Sequence, residues 1–392
     1  MHVTYCIPTK NNLRYLKGCI ASIKASTDSH IIVFIDSDTD GTEEWLKITH
    51  DDIKYIKNTE NNPLGIAAGY NRCIEMASTD IVCMFHADMY MAVGFEEGIL
   101  KYLKERTIVS ATRIEPPLHP EGKEKIVRDF GVYPEDFKKA EFDAFVKDFK
   151  PPHLTTNGIF APWVCYKKDI TSIGMHDECL HSYHEDTDIF QRFLLNGYQT
   201  VQSWEAFVYH LTCRGGQFQD GVGAVTTDKN FHTMKQRSFR YFLRKWGCGI
   251  RNDEYLHPIL PHKYNIGFVV EHATDKMVSV LEPLCSTIYV NCDCKNYVQN
   301  EQSNNVHDIS KRIRSLSSPQ DNDIIISFDG NKLTNQNISF LFNTLPDTIT
   351  DTNSAGEFEY DIFKISIKKL NCLNNGLIVT NHPIDNAKPT IL

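Results

Sequence analysis

The feature that most constrains this chain is an alternation running through its first ninety residues. Short apolar runs, each closed by a polar turn, are separated by stretches with helical spacing. Residues 3–8 (VTYCIP), 31–35 (IIVFI), 53–56 and 81–85 (IVCMF) read as strands. An unbroken run such as IIVFI is expected where both faces of a strand are covered, because a strand with one wet face alternates instead. Between the runs, Leu13, Leu16, Ile20 and Ile23 keep helical spacing behind a cap from Asn11 or Asn12. Residues 42–46 open a second helix and 65–77 form a third. Strand and helix in this order imply right-handed crossovers and a mostly parallel sheet. Ligands of such sheets bind beyond the carboxyl ends of the strands, and the acidic clusters fall there.

A length of 392 residues predicts two domains. The expected division is an α/β domain over 1–257, a proline-marked linker over 258–262 and a small α/β accessory domain over 263–392. The last part is rich in Asn, with strands predicted at 266–270, 287–291 and 323–329. Packing, oligomerisation and acceptor recognition are its open roles. Residues 116–152 read as an excursion of helix and loop, 159–166 as a returning strand and 187–196 as a helix.

Composition narrows the class. No run of eighteen apolar residues exists, so no membrane-spanning helix is expected. The first residues lack the basic and apolar regions of a signal peptide. The twelve cysteines are scattered, several in apolar runs (Cys83, Cys165), and are expected to be reduced in a cytoplasmic protein. Cys292 and Cys294 stand too close for a usual zinc knuckle. A formal net charge of −9 argues against a general nucleic-acid surface. The one local basic segment is 229–251, with Lys235, Arg237, Arg240, Arg244, Lys245 and Arg251; a solvated or membrane-facing helix face explains it better than a basic groove.

Three features carry chemistry: Asp36, His86-Ala-Asp88, and the string YHEDTDIFQRFLLNGY with VYH after it. A carboxylate ending a buried parallel strand, as Asp88 is expected to do, can hold a hard divalent cation that bridges a diphosphate. His86 beside it is a second ligand, a diphosphate contact or an ordinary strand-end residue. Glu185 and Asp186 open an amphipathic helix, where the dipole alone favours an acid. Two in succession also suit acceptor chemistry: one carboxylate removes the hydroxyl proton while the other orients the hydroxyls. His210 ends an apolar run, where a neutral imidazole can complete a metal site. Arg214, beside Gly215 and Gly216, can add a cationic contact from a mobile loop or stand in an ordinary surface loop. Trp163 and Trp204 can stack on a sugar, though buried tryptophan is the commoner case.

In combination these strings resemble the family 2 glycosyltransferases of GT-A fold. IPTKNN (7–12), IDSDTDGT (35–42), NPLGIAAGYN (62–71), FHADM (85–89), HEDTDIFQRFLLNGY (184–198) and VYH (208–210) occur in the family's order across roughly residues 1–250. The resemblance implies a Rossmann-like GT-A domain in which Thr9 and Asp36 contact the nucleoside and Asn71 lies on the donor side. It further implies Asp88 and His210 as metal ligands, Asp186 as general base and Glu185 as the acceptor-orienting group. Mn²⁺ or Mg²⁺ is the implied cofactor. Two positions depart: His86 replaces the first acid of Asp-x-Asp, and Tyr70 replaces an Arg that often precedes the helix Asn. Arg214 is the natural substitute for that lost cation.

The expectation is therefore an inverting transferase that moves a sugar from a nucleotide diphosphate, UDP first, to a glycan hydroxyl, as in polysaccharide assembly. Two alternatives keep the fold: a protein or a modified DNA base as acceptor, or a nucleotide- or carbohydrate-binding module without catalysis. A nucleotidyltransferase would want a glycine-rich basic loop after its first strand, and PTKNN lacks one.

Overall fold

The computed structural model describes residues 2–60, 62–302, 306–379 and 390–391. The chain packs as two units. The described residues of Met1–Met234, Asn252–Pro258 and Val379–Leu392 make the first; Lys235–Arg251 and Ile259–Ile378 make the second.

The first unit opens with the expected alternation: β1 (Val3–Thr9), α1 (Leu13–Ser26), β2 (His30–Asp36), α2 (Thr42–Thr49), β3 (Lys54–Asn58), α3 (Gly65–Met76) and β4 (Ile81–Met84). There follow β5 (Met89–Met91), α4 (Phe95–Leu100), β6 (Thr107–Glu115), β7 (Lys125–Val127), α5 (Lys139–Asp148) and β8 (Thr155–Thr156). Next come β9 (Trp163–Tyr166), α6 (Lys167–Ser172), α7 (Glu185–Leu195) and β10 (Gln199–His210). The helix α8 (Lys229–Trp246) begins in this unit and ends in the second.

The strands lie in the order β3-β2-β1-β4-β9-β6-β10-β5. Pairing is parallel from β3 through β4. β9 is antiparallel to both β4 and β6, so β6 and its parallel neighbour β10 run with the first four. The carboxyl ends of β1, β2, β4, β6 and β10 therefore share one edge of the sheet, and that edge is where the site forms.

Both faces of this sheet are covered, which explains the unbroken apolar runs. Val33, Phe34 and Ile35 are fully buried, and α3 packs on β1 and β2. Each such side chain contributes roughly 1.5–3 kcal/mol of transfer free energy. Gly69 lets α3 approach: a Cβ there would stand 2.8 Å from the Pro8 and Phe34 side chains.

Three local expectations need correction. The α1 amide of Leu13 receives its cap from Asp40 (2.7 Å), while Asn11 holds Thr39 and Asn12 makes no side-chain cap. The returning strand starts at Trp163, not at 159, because Pro162 has no N–H to give to a ladder. Trp163 packs against Phe190 and Phe193 in the core, and Trp204 donates to Thr156, so both are buried where no sugar stacks.

The second unit contains β11 (Ile266–Glu271), α9 (Asp275–Leu281), β12 (Thr287–Val290), α10 (Lys295–Gln302), α11 (Ile309–Arg312) and β13 (Ile313–Ser315). It continues with β14 (Ile324–Asp329), α12 (Asn335–Asn343), α13 (Leu345–Thr352), β15 (Gly356–Tyr360) and β16 (Phe363–Ile367). The sheet order is β13-β12-β11-β14-β16-β15, parallel through β14 and antiparallel beyond it. Its core centres on Phe268, Ile288, Ile326 and Leu341. The arginines of the basic segment are tied into this unit: Arg240 pairs with Glu301, Arg244 with Glu282 and Glu301, and Arg251 with Asp347. These three arginines are thus not free to form a basic groove. Among the described residues no helix is long and apolar enough to cross a membrane, and all twelve cysteines are free thiols.

Candidate active site

The ladder between β6 and β10 decides the centre of the site. It starts with Gln199 opposite Thr107 and slips between Ser203 and Phe207, so that Tyr209 comes to oppose Ile114. The slip adds three residues on β10. Without it, His210 would face position 118; with it, His210 faces Glu115, the last residue of β6. On its other side β10 pairs with β5, with His210 opposite Met89, and the amide of Leu211 donates to the Asp88 carbonyl (3.0 Å). The turn after β4 and the end of β10 are thereby held together, and with them Asp88 and His210.

His210 is buried between two carboxylates. Its Nδ1 lies 2.8 Å from Glu115 Oε1, and its Nε2 lies 3.5 Å from Asp88 Oδ1. Burial by itself would lower the imidazole, but Asp88 and Glu115 outweigh it and raise the group to about 9. His86 completes the cluster: ligand atoms of His86, Asp88 and His210 all lie within 4.8 Å of one another. Burial, aided by His210 and Arg113, pushes His86 down to about 4 despite Asp88, so its lone pair is available at neutral pH. Burial would raise Asp88, yet His210, His86 and the Arg214 amide hold it below the usual carboxylate range.

Two nitrogens and a carboxylate oxygen at this spacing could hold one divalent cation, which would displace the proton that Asp88 and Glu115 keep on His210. The second observation is Glu115. A carboxylate bound to the far nitrogen of a metal-binding histidine fixes its tautomer and leaves Nε2 to face the metal. Glu115 is itself fixed by Arg113 (2.9 Å) and Lys125 (3.0 Å), and these partners together outweigh burial and lower its carboxyl. Sequence reasoning passed over β6 altogether. Its signal was an acid ending a nine-residue buried strand, TIVSATRIE.

Arg214 bends back over Asp88. Its amide donates to Asp88 Oδ2 (2.9 Å) and its Nη2 to the Val132 carbonyl, with the guanidinium 5.8 Å from the Tyr15 ring and 5.3 Å from Tyr133. The residue is 3% exposed, yet Nε and Nη1 have no hydrogen-bond partner. A buried cation with two idle donors is costly unless an anion meets it. The turn leading to it is strained: Thr212 (φ 72°) and Cys213 (φ 53°) are consecutive non-glycine residues in the left-handed region. Each costs on the order of 1–3 kcal/mol. Amides of Gly216 and Phe218 on the Cys213 carbonyl hold the turn.

The same strain precedes α7, at Tyr183 (φ 81°) and His184 (φ 70°), and it aims the first turn of that helix. Glu185 is buried with Oε2 unpartnered; burial and neighbouring Asp186 push its carboxyl well up. Asp186 is half-buried and accepts from the Thr187 amide (2.6 Å). Burial raises its carboxyl too, while Thr187 and, from the metal cluster's side, Arg113 pull it down. Asp188 and Arg192 pair fully buried (2.8 Å), and Arg192 also holds the carbonyls of Ile173 and Met175. Their place in the string is structural.

The remaining predicted residues lie on the other side of the edge. Thr9 is buried with an unpartnered Oγ1. Asp36 accepts from Asn58 (2.7 Å) and from the amides of Leu64 (3.0 Å) and Gly65 (2.9 Å), so it caps α3. Asn71 is engaged with the His176 backbone and Glu178, and Tyr70 stacks on His176. Asn71 thereby anchors the 176–178 loop and points no idle group at a ligand.

Residues 4–157 match the family model described as glycosyl transferase family 2. The match ends short of Glu185, Asp186, His210 and Arg214. No curated protein sequence matches the chain. Among solved structures it is similar to TarS of S. aureus (13% identity, 55% of this chain and 37% of that one, TM-score 0.40). It is similar also to GalNAc-T7 with UDP, GalNAc and Mn²⁺ (12%, 53% and 43%, TM-score 0.41). A third is the mannosyltransferase PcManGT from Pyrobaculum calidifontis in complex with GDP-Man and Mn²⁺ (18%, 62% and 61%, TM-score 0.39). The chain spans less than half the length of the first two chains.

Proposed function

We propose, from the premise that residues 4–157 belong to glycosyl transferase family 2, that this chain moves a sugar from a nucleotide diphosphate to a hydroxyl acceptor. The observation that carries the reading is the buried Arg214. Its backbone amide holds Asp88 of the His86–Asp88–His210 cluster, while two donors of its buried guanidinium are idle. A cation cluster and an idle guanidinium together suit a diphosphate.

His86, Asp88 and His210 would hold Mn²⁺ or Mg²⁺, which when bound supplies Lewis-acid neutralisation of the departing diphosphate. The chain's own residues do the rest. Thr9 and Asp36 line the nucleoside end; Asp36 keeps a free lone pair on the oxygen that caps Gly65. Arg214 donates to the diphosphate oxygens. Asp186 takes the proton of the acceptor hydroxyl as its oxygen bonds to the anomeric carbon. The bond from that carbon to the phosphate oxygen breaks on the opposite side, which inverts the configuration. Glu185, whose carboxyl burial and neighbouring Asp186 push up, orients the acceptor through a second hydroxyl.

UDP is the first donor to test, and a glycan in a cytoplasmic polysaccharide pathway is the first acceptor. The second unit, Lys235–Arg251 with Ile259–Ile378, then serves as the accessory domain that the sequence placed at 263–392 after a linker at 258–262. A protein or modified DNA base is the alternative acceptor; for DNA, Arg240, Arg244 and Arg251 offer no free charge, since each pairs with an acid. The test is thermal stabilisation by nucleoside diphosphates, with and without Mn²⁺. Stabilisation by UDP or GDP that needs the metal supports the reading. Equal shifts with and without metal, or none, would point to a binding module or to another ligand.

A further inference from the structure

The second unit carries a thiol pair that the proposed transfer does not use. Cys292 and Cys294 follow β12, and their sulfurs lie 3.4 Å apart. Both line a cleft of about 610 Å³ at the carboxyl ends of β12 and β13, which Lys295, Arg314 and Ser315 also border. Cys292 is partly exposed there, while Cys294 is buried and its thiol also points at the Cys292 carbonyl (3.6 Å). Residues two apart cannot separate by more than roughly 7 Å at Cα, inside the span a disulfide bridges. The spacing that rules out a zinc knuckle suits a bond between the two sulfurs.

We propose that Cys292 and Cys294 form a dithiol site that exchanges with low-molecular-weight disulfides of the glutathione type, closing to an intrachain disulfide. The thiolate of Cys292, the more accessible sulfur, attacks a sulfur of the small disulfide. A mixed disulfide forms on Cys292 and one small thiolate leaves, taking the proton Cys292 gave up. Cys294 then attacks the Cys292 sulfur, and the second small thiol leaves with the Cys294 proton. In sum, two protein thiols and one small disulfide become one protein disulfide and two small thiols. The protein loses two electrons and the small disulfide gains them. Burial, with Cys292 adjoining, pushes the Cys294 thiol up to about 12, which keeps it the second sulfur to react. The site is independent of the transfer chemistry, so it stands or falls separately. The bond would tie the first turn of α10 to the end of β12, where the amide of Val298 already donates to the Cys294 carbonyl (2.9 Å).

The experiment is to treat the full chain with excess oxidised glutathione, block remaining thiols by alkylation and map the peptides by mass. The expected result is that the peptide holding Cys292 and Cys294 escapes alkylation at both sulfurs and loses two hydrogens. Exposed, solitary Cys372 serves as internal control and takes up one glutathione. Cys294→Ser should leave a persistent glutathione on Cys292, and Cys292→Ser should leave Cys294 alkylated. If both sulfurs of the unmodified chain are alkylated while Cys372 reacts, or Cys292 stops at the mixed disulfide with Cys294 present, the proposal is overturned. The unmodified chain decides this even where a variant fails to fold.

Discussion

The Nδ1 of His210 lies 2.8 Å from Oε1 of Glu115, and this contact exists because β10 slips three residues against β6 on the way to its end. Glu115 fixes which nitrogen of His210 is left to meet Asp88 and a cation. Replacing Glu115 with Gln keeps an acceptor oxygen but removes the charge that holds Arg113 and Lys125. Mn²⁺ affinity should fall roughly 10–100-fold, read by electron paramagnetic resonance of free Mn²⁺ without any substrate. Unchanged affinity in the folded variant would make Glu115 a structural partner of Arg113 alone.

Arg214→Lys keeps a cation beside Asp88 but loses the planar fork. Affinity for a nucleoside diphosphate should drop about tenfold or more, while that for the nucleoside stays within twofold. Calorimetry with each ligand in Mn²⁺ separates the two. Parallel losses for nucleoside and diphosphate would remove Arg214 from the diphosphate.

Asp186→Asn should lower kcat by roughly 10²–10⁴-fold with donor affinity nearly intact, because the group acts on the acceptor proton. An equal loss of donor binding and turnover would reassign Asp186 to the helix cap that its bond to Thr187 already provides.

Acid should weaken the second unit through Glu282. Burial would raise its carboxyl, but Arg244, Arg312 and Tyr297 hold it at about 2 against an ordinary 4.5. A folded value below the unfolded one stabilises above pH 4.5 and is lost as pH falls from 4.5 towards 2. The shift corresponds to something on the order of 3 kcal/mol. Protection in β11 and β12, taken as exchange corrected for its intrinsic slowing at low pH, should fall across that window. In Glu282→Gln, if it folds, this dependence should be absent, and stability near neutral pH should fall by about 3–5 kcal/mol because the arginines lose their counter-charge. Intrinsic-corrected protection that is flat between pH 5 and 3 in the unmodified chain would show that Glu282 is not so paired.

What was legible in the sequence was local or periodic. Runs such as IIVFI and IVCMF named the strands, because a doubly covered strand must be apolar throughout. Asp36 could be placed at a strand end, since a parallel sheet sends those ends to one edge, whereas Asp88, expected there too, lies in the turn between β4 and β5. Cys83 and Cys165 are buried, as their apolar runs imply, whereas Cys372 is exposed. Which acid meets which base was decided elsewhere. Asp36, Asp38 and Asp40 look alike in IDSDTDGT, yet Asp36 caps α3, Asp38 caps α2 and Asp40 caps α1. Arg240 and Arg244 look like a free basic face until the acids of the second unit meet them. Glu115 joins His210 only through a register slip, and Arg214 turns onto Asp88 only through two left-handed residues that nothing in their side chains favours. Burial patterns repeat along the chain and can be read from it. Contacts between residues about a hundred positions apart depend on register and loop path, and those are set when the whole sheet packs.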